Sequence, residues 1–156
     1  MKQIFSLIFL TLSLFGEIKF QETKYMAALD VDFKKYGSLS VSKDKLTIKY
    51  TKPNNQTINY LEDKIEIISD NNVKIYNFEK YPNTQYMGLI LRAIVNDEYE
   101  LVEQLFDIKH TGKKVMLIAK PVIDSYIVSI KVTKYDKDII IINLRNKDKI
   151  TIETIN

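Results

Sequence analysis

Apolar and polar residues alternate along most of this chain. In the segment 45–50, Leu46, Ile48 and Tyr50 fall on one side, and Lys45, Thr47 and Lys49 fall on the other. This period of two is typical of a β-strand with one buried face. Similar runs continue to residue 78 and resume from 106 to 152, separated by short polar turns. About ten short strands at this spacing predict an antiparallel meander, because no βαβ rhythm is present.

The stretch 81–106 has a helical pattern instead. Its first apolar stripe has the spacing i, i+3, i+4, i+7 and consists of Met87, Ile90, Leu91 and Ile94. A second apolar stripe consists of Leu101, Val102, Leu105 and Phe106. Asn96 and Asp97 separate the two stripes, and Asp97 suits the positive end of a second helix. The pattern predicts two short amphipathic helices inserted between strands, which either cover one face of the sheet or close a cavity.

These elements define the predicted fold class, which is mainly β (α+β). A single curved antiparallel sheet would gather the apolar faces of its strands on its concave side, with the helix pair across them. The chain has 156 residues, which suits one domain that buries a substantial core. It contains no cysteine, so disulfides, thiolate nucleophiles and thiolate metal sites are excluded.

The first residues have the pattern of an export signal. A basic start, Met1-Lys2, precedes an apolar run at 4–15 that ends at Gly16. This run is shorter than the roughly 20 residues that a membrane-spanning helix needs, and it is typical of a secretory signal. We therefore predict a signal peptide at 1–16 and an exported domain at 17–156, with an uncleaved N-terminal anchor as the alternative.

Catalytic and nucleic-acid-binding patterns are missing from the sequence. The single histidine, His110, stands beside a predicted turn, and no HExxH, GxSxG or glycine-rich phosphate loop occurs. The formal net charge is +3, and the lysines are scattered singly along strands and turns. The sequence predicts no enzyme, no metal, no cofactor and no nucleic-acid partner.

Several motifs resemble, in their order and spacing, those of the periplasmic lipoprotein carrier family (LolA-like proteins), especially its shorter relatives. The first is Phe20-Gln21 with Lys24 and Leu29, which leads into an F…GxL step at 33–39. A strand and turn at 45–53 and a strand ending in proline at 115–121 follow. The resemblance covers nearly the whole predicted mature chain.

This resemblance implies an unclosed β-barrel with a helical lid. It implies a monomeric periplasmic carrier, a chaperone that takes the acyl chains of lipoproteins, or of a related lipid, from the inner to the outer membrane. Its partners would be acylated cargo, an inner-membrane release transporter and an outer-membrane acceptor. Each CH₂ group removed from water contributes about 0.8 kcal/mol, so acyl chains can be held without covalent chemistry.

The alternation and the resemblance together predict an acyl cavity. Its residues would be Leu39, Val41, Leu46, Ile48, Tyr50, Ile58, Tyr60, Ile65, Ile67, Met87, Ile90, Leu91 and Ile94. Lys43 matches a family arginine that tethers the lid, and it keeps the charge without the bidentate geometry. Ile48, or the nearby Tyr50, replaces the family's strand tryptophan. The alternative hypothesis is an exported β-domain that binds another envelope protein and has no lipid cavity.

Overall fold

A computed structural model of the protein describes residues 16–155. The predicted signal peptide lies outside these residues, apart from Gly16. The described chain forms one antiparallel sheet of eleven strands. Their bounds are β1 (Ile18–Met26), β2 (Val31–Val41), β3 (Leu46–Lys52), β4 (Gln56–Tyr60), β5 (Lys64–Ser69), β6 (Asn72–Asn77), β7 (Phe106–Thr111), β8 (Lys114–Ala119), β9 (Ile127–Lys134), β10 (Asp138–Leu144) and β11 (Lys149–Thr154).

The strand order explains how the sheet is assembled. It runs β6-β5-β4-β3-β2-β1-β11-β10-β9-β8-β7. Consecutive strands are therefore neighbours, and the first strand pairs with the last, for example Phe20 with Thr154. The two edge strands, β6 and β7, are not paired with each other, so the sheet stays unclosed. The predicted fold class is confirmed at this level: a mostly β protein with one large antiparallel sheet.

The sheet contains one strand more than the approximate sequence count. The segment 17–33 reads as one extended run in the sequence, but it forms β1 and β2 joined by a turn at 27–30. Asp30 takes a left-handed conformation in this turn, with φ 52°. Of the residues that usually mark a turn, this one contains only Asp30 and no glycine, proline, asparagine or serine, so the pattern gave only a weak signal there.

Within the described part of the chain, one α-helix, α1 (Tyr86–Asn96), connects the two halves of the sheet. The predicted second helix is wrong: Tyr99–Val102 form only a 3₁₀ turn, and Phe106 begins β7. Asp97 does not begin a helix but ends α1, in a left-handed conformation with φ 55°. The N–H of Glu98 then donates to the Ala93 carbonyl, which closes the helix end. After this reversal the chain continues to the edge strand β7.

Helix α1 lies between two groups of buried side chains. Ile90, Ala93 and Ile94 pack with residues of β7 to β10, whereas Leu91 packs with residues of β1 to β3. Met87 and Ile152 contact both groups. The sheet therefore curves around the helix, which buries the apolar stripe that the sequence predicted. Among the described residues, no helix has the length and apolar character to cross a membrane.

Candidate functional site

A largely apolar cavity of about 220 Å³ lies between α1 and the middle strands of the sheet. Strands β1 to β4, β10 and β11 form its wall, and α1 forms its cover. Its lining residues are Ile18, Phe20, Glu22, Leu39, Ile48, Tyr50, Ile58, Tyr60, Met87, Leu91, Ile94, Val95, Asp138, Ile140, Ile142, Ile150, Ile152 and Thr154.

Strand register places these side chains on one face. Leu39 pairs with Ile18 on one side and with Ile48 on the other, and Ile48 pairs with Ile58. Directly opposed residues of antiparallel strands point to the same face. An isoleucine and leucine row therefore crosses four strands beneath the helix.

Gly37 makes room for an aromatic pair in the cavity wall. It pairs with Phe20 on β1 and with Tyr50 on β3, and the two rings meet edge to face with centroids 5.9 Å apart. A Cβ atom at Gly37 would lie 2.4 Å from the Lys49 carbonyl oxygen and 3.2 Å from the Phe20 ring. Glycine is therefore needed here for close approach.

Tyr60 separates the cavity from a more open groove of about 320 Å³. It lines both spaces, and the groove is otherwise lined by residues such as Lys43, Asp44 and Arg92. Gly88 of α1 lies against the Tyr60 ring, since a Cβ atom there would stand 2.5 Å from a ring carbon. Because glycine has no side chain, α1 packs directly against the Tyr60 ring.

Two cationic side chains fasten the helix to opposite halves of the sheet. Arg92 donates to the Ser42 carbonyl at 2.7 Å, in the turn between β2 and β3. Lys134 of β9 donates to the Ile94 carbonyl at 2.8 Å and to the Asp97 carboxylate at 2.6 Å. A cation at a helix C-terminus also offsets the negative end of the helix dipole.

The cavity wall includes a hydrogen-bonded acid and phenol. The Tyr50 hydroxyl donates to a Glu22 carboxylate oxygen at 2.5 Å. Burial raises the pKa of Tyr50, and the neighbouring Glu22 carboxylate raises it further. Burial alone raises the pKa of Tyr60 to about 12. Both phenols therefore keep their protons further into the alkaline range than an exposed tyrosine does.

Most of the predicted cavity residues line this cavity. They are Leu39, Ile48, Tyr50, Ile58, Tyr60, Met87, Leu91 and Ile94. The others lie on the same side of the sheet or helix but outside the cavity. Val41, Leu46 and Ile65 are buried, Ile90 is fully buried against β7 to β10, and Ile67 is half-buried near the β6 edge. Their role in binding a ligand stays a prediction.

Lys43, the predicted tether, lies in the turn between β2 and β3 that contacts α1, and its role as a tether stays a prediction. The Lys43 side chain is exposed and makes no hydrogen bond or ion pair with other residues of the described chain. Its carbonyl instead lies 3.4 Å from Arg92 and, together with the Ser42 carbonyl, accepts from that side chain. The helix, not the turn, supplies the arginine.

Sequence reasoning missed the cavity residues on β1, β10 and β11, and one cavity residue on α1. They are Ile18, Phe20 and Glu22 on β1, Val95 on α1, Asp138, Ile140 and Ile142 on β10, and Ile150, Ile152 and Thr154 on β11. Alternation at 18–22 shows that the β1 residues lie on one face of their strand, and alternation at 150–154 shows the same for the β11 residues. The pairing of β1 with β11, which brings them under the helix, gave no local signal.

The arrangement suits non-covalent binding of an apolar group. The cavity volume of about 220 Å³ is below the roughly 300–1,000 Å³ of typical small-molecule pockets, so a long chain would need the helix to move or the Tyr60 side chain to rotate.

Within residues 16–155, no cluster of three or more histidine, cysteine or acidic side chains could hold a metal ion. His110 is exposed and stacks edge to face with Tyr99, with ring centroids 5.4 Å apart.

A scan against protein-family models found no match for this chain, and a search of the curated proteins found none either.

Proposed function

We propose that this protein is a periplasmic carrier that binds an acyl chain of a lipoprotein, or of a related lipid, in the cavity beneath α1. The observation that supports the proposal is the cavity itself, which is walled by isoleucine, leucine and aromatic side chains of six strands. An interaction module with a fully packed core would not need such a space. Burial of a chain segment there gains about 0.8 kcal/mol for each CH₂ group.

The fold supports the same proposal. The edge strands β6 and β7 are not paired with each other, and α1 bridges the two halves of the sheet between them. Polar contacts fasten the helix on each side, through Arg92 and Lys134. Uptake and release of cargo would require α1 to move, which breaks these polar contacts and exposes part of the buried apolar stripe of the helix.

The test is native mass spectrometry of the protein purified from the envelope of its host, followed by lipid extraction. We expect lipid or acylated peptide to co-purify. An Ile58→Phe variant would fill the cavity from its wall, and we expect it to lose most of the bound lipid. Ile141→Phe is the matched control, because Ile141 is half-buried on the opposite face of β10.

Addition of a decyl-chain ligand should also raise the melting temperature of the wild-type protein, since a ligand that binds only the folded state stabilises it. A clean apo mass and no ligand-dependent shift in melting temperature would refute the carrier proposal. That result would favour an envelope interaction module.

A further inference from the structure

The charged residues in the cavity wall all have the same sign. Among residues 16–155, the lining includes the acids Glu22 and Asp138 and no lysine or arginine. The remaining polar side chains of the wall are the uncharged Tyr50, Tyr60 and Thr154. An apolar chain bound in this cavity would therefore have carboxylates as its only charged neighbours in the wall.

Glu22 is held in place but is not neutralised. Tyr50 donates to one of its carboxylate oxygens, and within residues 16–155 no other hydrogen-bond donor and no cation within 4.0 Å accompanies it. Lys35 is its cross-strand neighbour on β2, but the Lys35 ammonium lies over the Tyr50 ring, 4.8 Å from the centroid. One Glu22 oxygen is thus left to accept a hydrogen bond from a ligand.

The other nearby cations are engaged elsewhere. Lys24 follows Glu22 on the same face of β1 and lies 3.9 Å from Asp148. Lys134, which pairs with Asp138 in the sheet, lies 2.6 Å from Asp97. The Glu22 charge is therefore not cancelled, and it adds to the effect of burial in raising the pKa of the neighbouring Tyr50.

We propose that Glu22 selects the cargo by charge, so that the cavity takes amphiphiles with a protonated amine beside the apolar chain in preference to anionic ones. This inference rests on the proposed function, because it concerns the ligand of the same cavity. An ammonium group can donate to the second Glu22 oxygen while its chain lies along the isoleucine row. A sulfate or carboxylate head group at the same place would be repelled by Glu22 and Asp138.

The experiment compares three ligands with the same decyl chain: decylammonium, decyl maltoside and decyl sulfate, each below its micelle concentration. Isothermal titration at pH 7 and low salt should give a dissociation constant about tenfold lower for decylammonium than for decyl sulfate, as expected for one charge-assisted hydrogen bond. Added salt should reduce this preference.

The variant Glu22→Gln keeps an oxygen acceptor for Tyr50 and removes the charge. We expect it to bind decylammonium and decyl sulfate within about twofold of each other and to bind decyl maltoside like the wild type. Glu66→Gln is the matched control, because it changes the net charge equally on the opposite face of the sheet and should keep the preference. If Glu22→Gln fails to fold, Asp138→Asn should still reduce the preference.

The outcomes separate the two proposals. If wild type binds all three ligands equally, or if Glu22→Gln keeps the full preference, the charge selection is wrong and the carrier proposal stands. If none of the three decyl ligands binds, both proposals fail.

Discussion

At the scale of single residues, Gly88 determines how closely the helix approaches the sheet. Its Cα faces the Tyr60 ring, and three atoms of Tyr60 lie within 3.1 Å of where a Cβ atom would be. Such distances are shorter than van der Waals contact. The tyrosine, and not the glycine's conformational freedom, explains why a residue with poor helix propensity stands inside α1.

Gly88→Ala should lower the free energy of unfolding by roughly 1 kcal/mol. Overpacking a core costs about 1–3 kcal/mol, and the better helix propensity of alanine returns about 1 kcal/mol of this. Urea denaturation measures the change. In a Tyr60→Leu background the same substitution should become neutral or stabilising, and an equal loss in both backgrounds would contradict the contact.

Tyr60 should also make the fold sensitive to alkali. Its pKa is raised by burial to about 12, whereas a tyrosine in an unfolded chain titrates near 10. The folded state therefore keeps a proton that the unfolded state loses, so stability is complete below pH 10 and falls as the pH rises to 12. Tyr50 adds to the fall in the same direction.

Comparison of unfolding free energies at pH 9 and pH 11 tests this. The loss between the two values should be roughly 1 kcal/mol smaller in Tyr60→Phe than in wild type, because the variant has no hydroxyl to titrate there. Identical losses in the two proteins would show that Tyr60 titrates normally.

At the scale of elements, the stability of α1 depends on its polar contacts as well as on its apolar stripe. The Lys134 ammonium joins the Ile94 carbonyl and the Asp97 carboxylate, at the point where the helix ends. Carbonyls at a helix C-terminus have no partner within the helix, so a cation there satisfies one of them.

Lys134→Met should destabilise the protein by about 1 kcal/mol, a typical value for a partly buried cation at a helix end. Amide hydrogen exchange should accelerate in α1 more than in the central strands. Lys131→Met is the control, because Lys131 lies on the opposite face of the same strand and its removal changes the charge equally. Equal acceleration in both variants would argue against a specific fastening.

At the scale of the whole molecule, the pairing of β1 with β11 and the position of α1 join the two halves into one unit. Ile152 of β11 packs against both groups of buried side chains. It pairs with Glu22 on one side and with Ile140 on the other. The two halves therefore pack against some of the same side chains and do not have separate cores.

Ile152→Ala should lower the unfolding free energy by about 2 kcal/mol, near the lower end for such truncations because the side chain is only partly buried. Unfolding should remain a single transition in fluorescence and circular dichroism, with an unchanged denaturant slope. Ile141→Ala, on the outer face of β10, should cost less. Two separate transitions would mean that the halves unfold independently.

The sequence by itself determined most of the strands, the one helix and the faces that they bury. Alternation placed Leu46, Ile48 and Tyr50 on the inner side of β3, and the helical spacing identified the stripe of α1, because both periods follow from local backbone geometry. Sequence reasoning failed at Asp97, where the acidic residue suited a helix start as well as the left-handed end that the structure has.

Only the tertiary structure decided which strands meet beneath the helix. Glu22 and Asp138 are far apart in the chain, yet they line one cavity because the first strand pairs with the last. Likewise, the partner of Arg92 is a backbone carbonyl in a distant turn. Contacts between remote residues depend on how the whole sheet packs around α1, and periodicity within a segment contains no information about that packing.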